Sequence, residues 1–255
     1  MTNEKTTGCA THSKISESTD SLPQRVYRYR ALGTSWPYLL NELRGHVWCS
    51  AAQYLNDPFD GVVYTEPEQR KIVARTDGQT TKISTQYVWC VACFSETWDN
   101  PTMWANYADK FSGVCLGYDT QGLKELTSIT VKNYQKNMSE GQVTAVRGAA
   151  FSPVEYPPKF PGSFKSEKDA IFTKNKTWWY EQEWRFAIKY IFSGNGTGRI
   201  CNMEGQLKEI IVPSHIRGAN WQAIKAVRDA FCPGVTITRI TPVPSERCYR
   251  RSDPM

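Results

Sequence analysis

The run YVWCVACFSE, residues 87 to 96, constrains the fold more than any other stretch, because it carries no charge from Tyr87 to Ser95. An apolar run of this length, closed by polar residues, reads as a central strand. It is far shorter than the ~20 residues needed to cross a membrane, and no other run approaches that length. Other strand and helix signals flank it. RVYRYRAL, from residue 25, alternates, which sets Tyr27 and Tyr29 on one face and Arg28 and Arg30 on the other. SWPYLLNELRG has a helix's punctuation, with Ser35 as N-cap, Pro37 early and Gly45 at the end. HVWCS is a short strand, and AAQYLNDPFDG is a turn-rich loop in which Asn56 and Asp57 precede Pro58. The polar stretch from Thr65 to Ser84 is read as partly helical.

Met103, Trp104, Tyr107 and Phe111 recur at helical spacing in PTMWANYADKF, and GVCLGYD is a further strand. Residues 120 to 170 are irregular, with a strand near VTAVRG or SPVEY. EQEWRFAIKYIF is a long strand and SGNGTGR a loop. LKEIIVP, the amphipathic ANWQAIKAVRDAF and VTITRITP close the chain as strand, helix and strand. Strands separated by irregular stretches favour an α+β fold over a doubly wound sheet: a single domain of mixed or antiparallel sheets with a few flanking helices.

Residues 1–23 are polar and rich in Ser and Thr, with no apolar signal core, and are read as a flexible tail. The domain is expected over 24–247, and 248–255 is expected to be a basic, exposed tail. The cytoplasm is the expected compartment. Eight cysteines spread over 255 residues then imply reduced thiols rather than a disulfide framework. The one CxxC, Cys90 to Cys93, lies in the apolar strand and has no second pair, so it is read as buried strand cysteines and no metal is expected. Lys and Arg outnumber Asp and Glu by 31 to 25, a formal charge of +6 that suits a polyanionic partner or a phosphorylated cofactor. The glycines of GNGTG lack dinucleotide-binding spacing, and no Walker loop, GxSxG elbow or HExxH helix is present.

WWYEQEWRF, residues 178 to 186, places Glu181 and Glu183 within a dense aromatic run. In a strand these two and Arg185 share a face. A carboxylate among aromatics is costly to desolvate unless it is paired, so the stretch is either an ion-pair site or an active site. Four pieces in order, YRYR, CFSE, WANYAD and YEQEWR, resemble the ADP-ribosyltransferase superfamily. That superfamily has a first-strand Arg or His in an aromatic setting, a strand ending in Ser, a helix Tyr and a late strand carrying Glu. The chain from about residue 25 to 245 is also similar to a bacterial family of uncharacterised domains, through its YxY opening, NDPFD, FS…MWxxYA, GVCLGYD and WxYExEWR.

The superfamily resemblance implies NAD as substrate and a role for each matched residue. Arg28, with Tyr29 beside it, would grip the ribose or phosphate of the cofactor, Ser95 would close the second motif, and Tyr107 would stack on nicotinamide. Glu183 would be the catalytic carboxylate, and Glu181 would orient or deprotonate the acceptor. The implied activity is ADP-ribosyl transfer to RNA, DNA or protein, by a bacterial toxin or phage-defence effector that has a neutralising antitoxin protein. The second motif is CFSE rather than Ser-Thr-Ser, and the first lacks the usual Gly-Thr, so no subclass is assigned. An NAD glycohydrolase and a non-catalytic module binding nucleic acid or protein are the alternatives. Convergence of Arg28, Tyr107 and Glu183 on one cleft favours an enzyme, whereas their dispersal favours a binding module.

Overall fold

The structure, a computed structural model, describes residues 22–33, 36–60, 87–127, 146–191 and 198–254. In chain order the elements are β1 (Arg25–Arg30), α1 (Trp36–Leu43), β2 (His46–Ala51), β3 (Tyr87–Ser95), α2 (Pro101–Tyr107), β4 (Val114–Asp119) and α3 (120–127). They continue with β5 (Val146–Pro153), α4 (Glu167–Ile171), β6 (Glu183–Ile191), β7 (Gly198–Asn202), β8 (Leu207–Pro213), α5 (Gly218–Phe231), β9 (Thr236–Val243) and β10 (Cys248–Arg251). The fold is α+β, and all ten strands belong to one sheet rather than several. Its pairs are antiparallel except β8 with β9.

The apolar run is central, as its composition requires. β6 covers one edge of β3 along its whole length, from Tyr87 opposite Ile191 to Ser95 opposite Glu183. Two strands share the other edge. β1 meets it at Ser95 through Tyr27, and β2 meets it at Val91 and Cys90 through Ser50 and Ala51. The sheet therefore forks beside Ala92–Phe94. One branch continues through β1, β4, β8, β9 and β10, and the other through β2 and β7.

The two faces are covered differently. On one, α1 and α5 bring Leu39, Leu43 and Ile224 onto a continuous core with Val26, Phe94 and Phe186. Fully burying each such side chain contributes roughly 1.5–3 kcal/mol before entropy. On the other face the apolar cover is split in two. α2 packs Met103 and Trp104 against Tyr29, Cys115 and Ile211. Separately, Ile171 and Phe172 cover Trp89, Val91 and Ala187.

Local chemistry fixes α2. Asn100 caps it, accepting from the amides of Thr102 at 2.9 Å and Met103 at 3.3 Å, with Pro101 in the first turn. Beyond α2, Asp109, Lys110 and Phe111 hold successive positive φ angles of 49, 51 and 72°. Such residues cost roughly 1–2 kcal/mol each. The Phe111 ring stacked on Trp104, at 5.3 Å and 12°, offsets part of that.

Several expectations change. β5 spans 146–153 and overlaps both expected strand sites, whereas residues 120–127, read as irregular, are helical. The SGNGTGR loop runs into strand β7 at Gly198. Residues 248–251 form edge strand β10 rather than a loose tail, and Arg251 bonds the buried Glu209. Cys248 is disulfide-bonded, contrary to reduced thiols throughout, while six other cysteines are free. Cys90 is buried as expected, and Cys93 is half-buried. Their odd spacing along β3 sends the two thiols to opposite faces. The N-terminal tail through residue 21 and the whole polar stretch 65–84 lie outside the described residues. Among the described residues no helix is long and apolar enough to cross a membrane.

Gly45 joins α1 to β2 at φ +84°, and a Cβ there would lie 2.6 Å from Glu204 Cα and 2.8 Å from its nitrogen. Gly45→Ala is therefore expected to cost roughly 1–3 kcal/mol through backbone strain and collision. Urea denaturation of the two proteins measures it.

Candidate active site at the fork of the sheet

The WWYEQEWRF segment does not fold as one strand. Lys176–Glu181 is a 3-10 helix, started by Asn175, whose side chain accepts from the Thr177 amide at 3.0 Å. Gln182 then takes a left-handed conformation, φ 42° and ψ 55°, and β6 begins at Glu183. Strand alternation is thus not what aligns Glu181 with Glu183. The reversal at Gln182 does so, and both carboxylates meet the ammonium of Lys174. Lys174 Nζ donates to Glu181 Oε2 at 2.6 Å and to Glu183 Oε2 at 3.1 Å.

Around these groups is a buried ionic cluster. Arg185, fully buried, donates from Nε to Glu183 Oε1 at 2.7 Å and from Nη2 to both oxygens of Asp60 at 2.9 and 3.0 Å. Its Nη1 reaches the Ile171 carbonyl at 2.5 Å. Lys174 also lies 3.8 Å from Asp60 and 4.6 Å from the centre of the Trp178 ring. The Tyr107 hydroxyl donates to Glu181 Oε1 at 2.5 Å, and Asn56 donates to that hydroxyl and lies 3.5 Å from the same carboxylate oxygen. Among the described residues, Asp60, Glu181 and Glu183 face only Lys174 and Arg185, so the charges of this cluster, when ionised, sum to one excess negative charge.

Burial pushes the Glu183 pKa up, but the charges of Arg185 and Lys174 outweigh it and bring it down to about 2. Burial pushes Asp60 up to about 6, because Arg185 and Lys174 offset only part of the penalty and Glu183 adds to it. For Lys174, Glu183, Asp60 and Glu181 overcome burial and hold the ammonium above its usual range. Burial and the bond to Glu181 keep the Tyr107 phenol protonated.

At the other end of the site, β1 presents Arg28 and Arg30 to the buried Glu42 of α1. Arg28 Nε lies 2.8 Å from Glu42 Oε1, and Arg30 Nε lies 2.6 Å from Oε2. Tyr118 donates to Glu42 at 2.9 Å. Arg28 is only 6% exposed, its Nε is close to Glu42 without hydrogen-bond alignment, and its Nη1 has no partner. A buried guanidinium nitrogen without an acceptor is costly unless something else supplies one.

Both ends line one cavity of about 240 Å³ at the fork. Arg28, Arg30, Ser95, Tyr107, Glu181 and Glu183 all border it. Ser95 is buried opposite Glu183 in the sheet register, and its Oγ accepts from the Thr97 amide. Tyr29 also borders the cavity, but its hydroxyl donates to the Thr97 carbonyl at 2.8 Å and its ring packs edge-on against Trp104. Tyr29 therefore supports the wall and offers no free polar group.

Sequence reasoning missed Lys174 and Asp60 and took Asn56 for a turn residue only. NDPFD did signal the last two, since it stands among the shared motifs. Nothing in FTKNKT distinguishes Lys174 from its neighbours.

Residues 103–186 match the model of a family described as a protein of unknown function (DUF2971). The matched stretch includes Tyr107, Lys174, Glu181, Glu183 and Arg185, and excludes Arg28, Asn56, Asp60 and Ser95. Its description states no activity, and nothing in it links the chain to ADP-ribosyltransferases. No curated protein and no solved structure matches the chain.

Lys174→Met is expected to destabilise the protein by roughly 3–5 kcal/mol, because it leaves buried carboxylates uncompensated. Adding Glu181→Gln should recover part of that loss in urea melts. The pH dependence has a definite sign. Asp60, raised from 3.8 to about 6, contributes fully below 3.8, and that contribution is lost as pH rises through about 6. Glu183, lowered from 4.5 to about 2, contributes above 4.5 and loses that contribution as pH falls through about 2. Between pH 4 and 6 the wild type should therefore lose stability relative to Asp60→Asn, by up to about 1 kcal/mol per pH unit.

Proposed function

We propose that this chain cleaves the bond between nicotinamide and ribose in NAD and transfers the ADP-ribosyl group to a macromolecular acceptor. The observation that carries the proposal is convergence. Arg28, Ser95, Tyr107, Glu181 and Glu183, chosen from distant segments of the sequence, border a single cavity. That cavity has an excess negative charge at one end and an unpartnered guanidinium nitrogen at the other.

This polarity suits the substrate. As the C–N bond breaks, its electron pair leaves with nicotinamide and positive charge develops on the ribose. Glu183, ionised across the physiological range, and Glu181 lie where that charge would be stabilised. Lys174 and Arg185 fix both carboxylates in place, and Asp60, sharing the same two cations, leaves the cluster with one excess negative charge. Arg28 Nη1 and Arg30 would take the diphosphate, which needs strong donors in fixed geometry. Tyr107, anchored through its hydroxyl, offers its ring as a wall for nicotinamide. The cavity lies below the ~300–1,000 Å³ of whole-ligand sites, so it would enclose the nicotinamide riboside end and leave the adenosine outside. An acceptor nucleophile then bonds to ribose C1′ and loses its proton to a carboxylate.

Adenylate-labelled NAD incubated with purified protein and with RNA, DNA and bulk protein tests this. Nicotinamide release and labelled acceptor are expected, with Glu183→Gln reducing both by roughly 10²-fold or more. Circular dichroism checks that the variant is folded. Release without labelled acceptor would make water the acceptor. No NAD loss by folded wild type would overturn the proposal.

A further inference from the structure

The cavity opens beside a stretch of sheet that carries exposed apolar side chains. In β2, Val47, Cys49 and Ala51 are buried, while His46, Trp48 and Ser50 point away from the core. Across the pair, Ile200 of β7 stands opposite Trp48 and is 57% exposed. The chain then turns through Ala52–Tyr54, leaving Tyr54 54% exposed at the cavity edge. Trp48 and Tyr54 line the cavity themselves, so this apolar ledge is continuous with the site.

Two features suggest a specific occupant. The Trp48 indole is held against the backbone of β7, where a Cβ on Gly198 would fall 2.5 Å from indole Cζ2. The ring thus lies where only glycine admits it, yet the residue keeps 36% of its surface exposed. A fixed aromatic ring with an open side is a stacking platform. The charge pattern is also one-sided. From Leu43 to Asn56 there is no Asp or Glu, while Arg44 and His46 are both exposed. β7 carries no carboxylate of its own. The whole chain carries +6.

We propose that this ledge, from Ile200 and Trp48 to Tyr54, seats the acceptor, and that the acceptor is a single-stranded nucleic acid. The proposal rests on the ADP-ribosyl-transfer reading of the adjoining cavity. Bases of a single strand are free to stack on Trp48 and Tyr54, and stacking tolerates any sequence. Paired bases in a duplex expose no such face. The strand's phosphates meet the exposed Arg44 and His46, with no carboxylate from Leu43 to Asn56, and a nucleotide reaching over the ledge's edge enters the cavity beside Glu181.

The test measures binding without NAD, so its failure is separable from failure of the NAD reading. Fluorescence anisotropy with labelled oligothymidylate and oligouridylate of about 12 nucleotides is compared with a duplex of the same length. Single strands are expected to bind more tightly than duplex, with affinity falling as salt rises. Trp48→Ala and Tyr54→Ala should each weaken single-strand binding roughly 5- to 150-fold. Tyr38→Ala, an exposed aromatic on α1, serves as the control and should leave it unchanged. Equal binding of duplex and single strand, equal loss in the control, or no oligonucleotide binding at low salt would each overturn the proposal. In the last case a protein acceptor would take its place.

Discussion

The described structure turns on one buried contact, the ammonium of Lys174 held between Glu181 and Glu183. Taking these charges out of water costs several kcal/mol each, and only close opposite charge with complete hydrogen bonding offsets it. That requirement organises the surroundings. Arg185 must approach Glu183, which fixes the start of β6. Asp60 must satisfy Arg185, which draws in the NDPFD loop. Ile171 must present its carbonyl to the same guanidinium, which places the end of α4. Tyr107 must reach Glu181, which ties α2 to the 3-10 helix. Five segments are joined through one electrostatic cluster.

The fork in the sheet gives that cluster somewhere to act. A continuous sheet would bury both faces of β3 and leave no room beside Ser95. Because β1 and β2 share one edge of β3, the sheet divides, and side chains from both branches reach the gap. Arg28 arrives from one branch, Trp48 from the other, and the carboxylates from behind β3. The apolar cover on that face is split as well. α2 packs over the β1 branch, the end of α4 packs over β3 and β6, and residues of both clusters border the cavity.

Much of this was legible in sequence, for identifiable reasons. β3 is an apolar run, and β8 and β9 place isoleucines at buried positions, so all three stand as strands where expected. α1 and α2 carry terminal residues with strong positional preferences, and both form. The alternation RVYRYR placed Arg28 and Arg30 on one side of β1, where both meet Glu42. What escaped was structure determined by partners distant in the chain. β7 and β10 are short and polar, and they become strands because β2 and β9 offer free edges. Gln182 has a common side chain, and only the surrounding ion pairs make its left-handed backbone worth its cost. Lys174 looks like any surface lysine until the fold buries it.

The choice posed by WWYEQEWRF, ion pair or active site, resolves into a question of charge balance. A purely structural site is most stable when its charges cancel, because any surplus buried charge costs desolvation with nothing to offset it. Among the described residues three carboxylates face two cations, and burial, with Glu183 adding to it, raises the Asp60 pKa to about 6. At the far side of the cavity two arginines face one glutamate, and Arg28 keeps an unused donor. Each end is unbalanced, and the imbalances have opposite sign. The cavity holds them apart, so neither can relieve the other. A ligand that is cationic at one end and anionic at the other relieves both at once, and that is the physical case for regarding these ion pairs as the frame of a site rather than as its whole purpose.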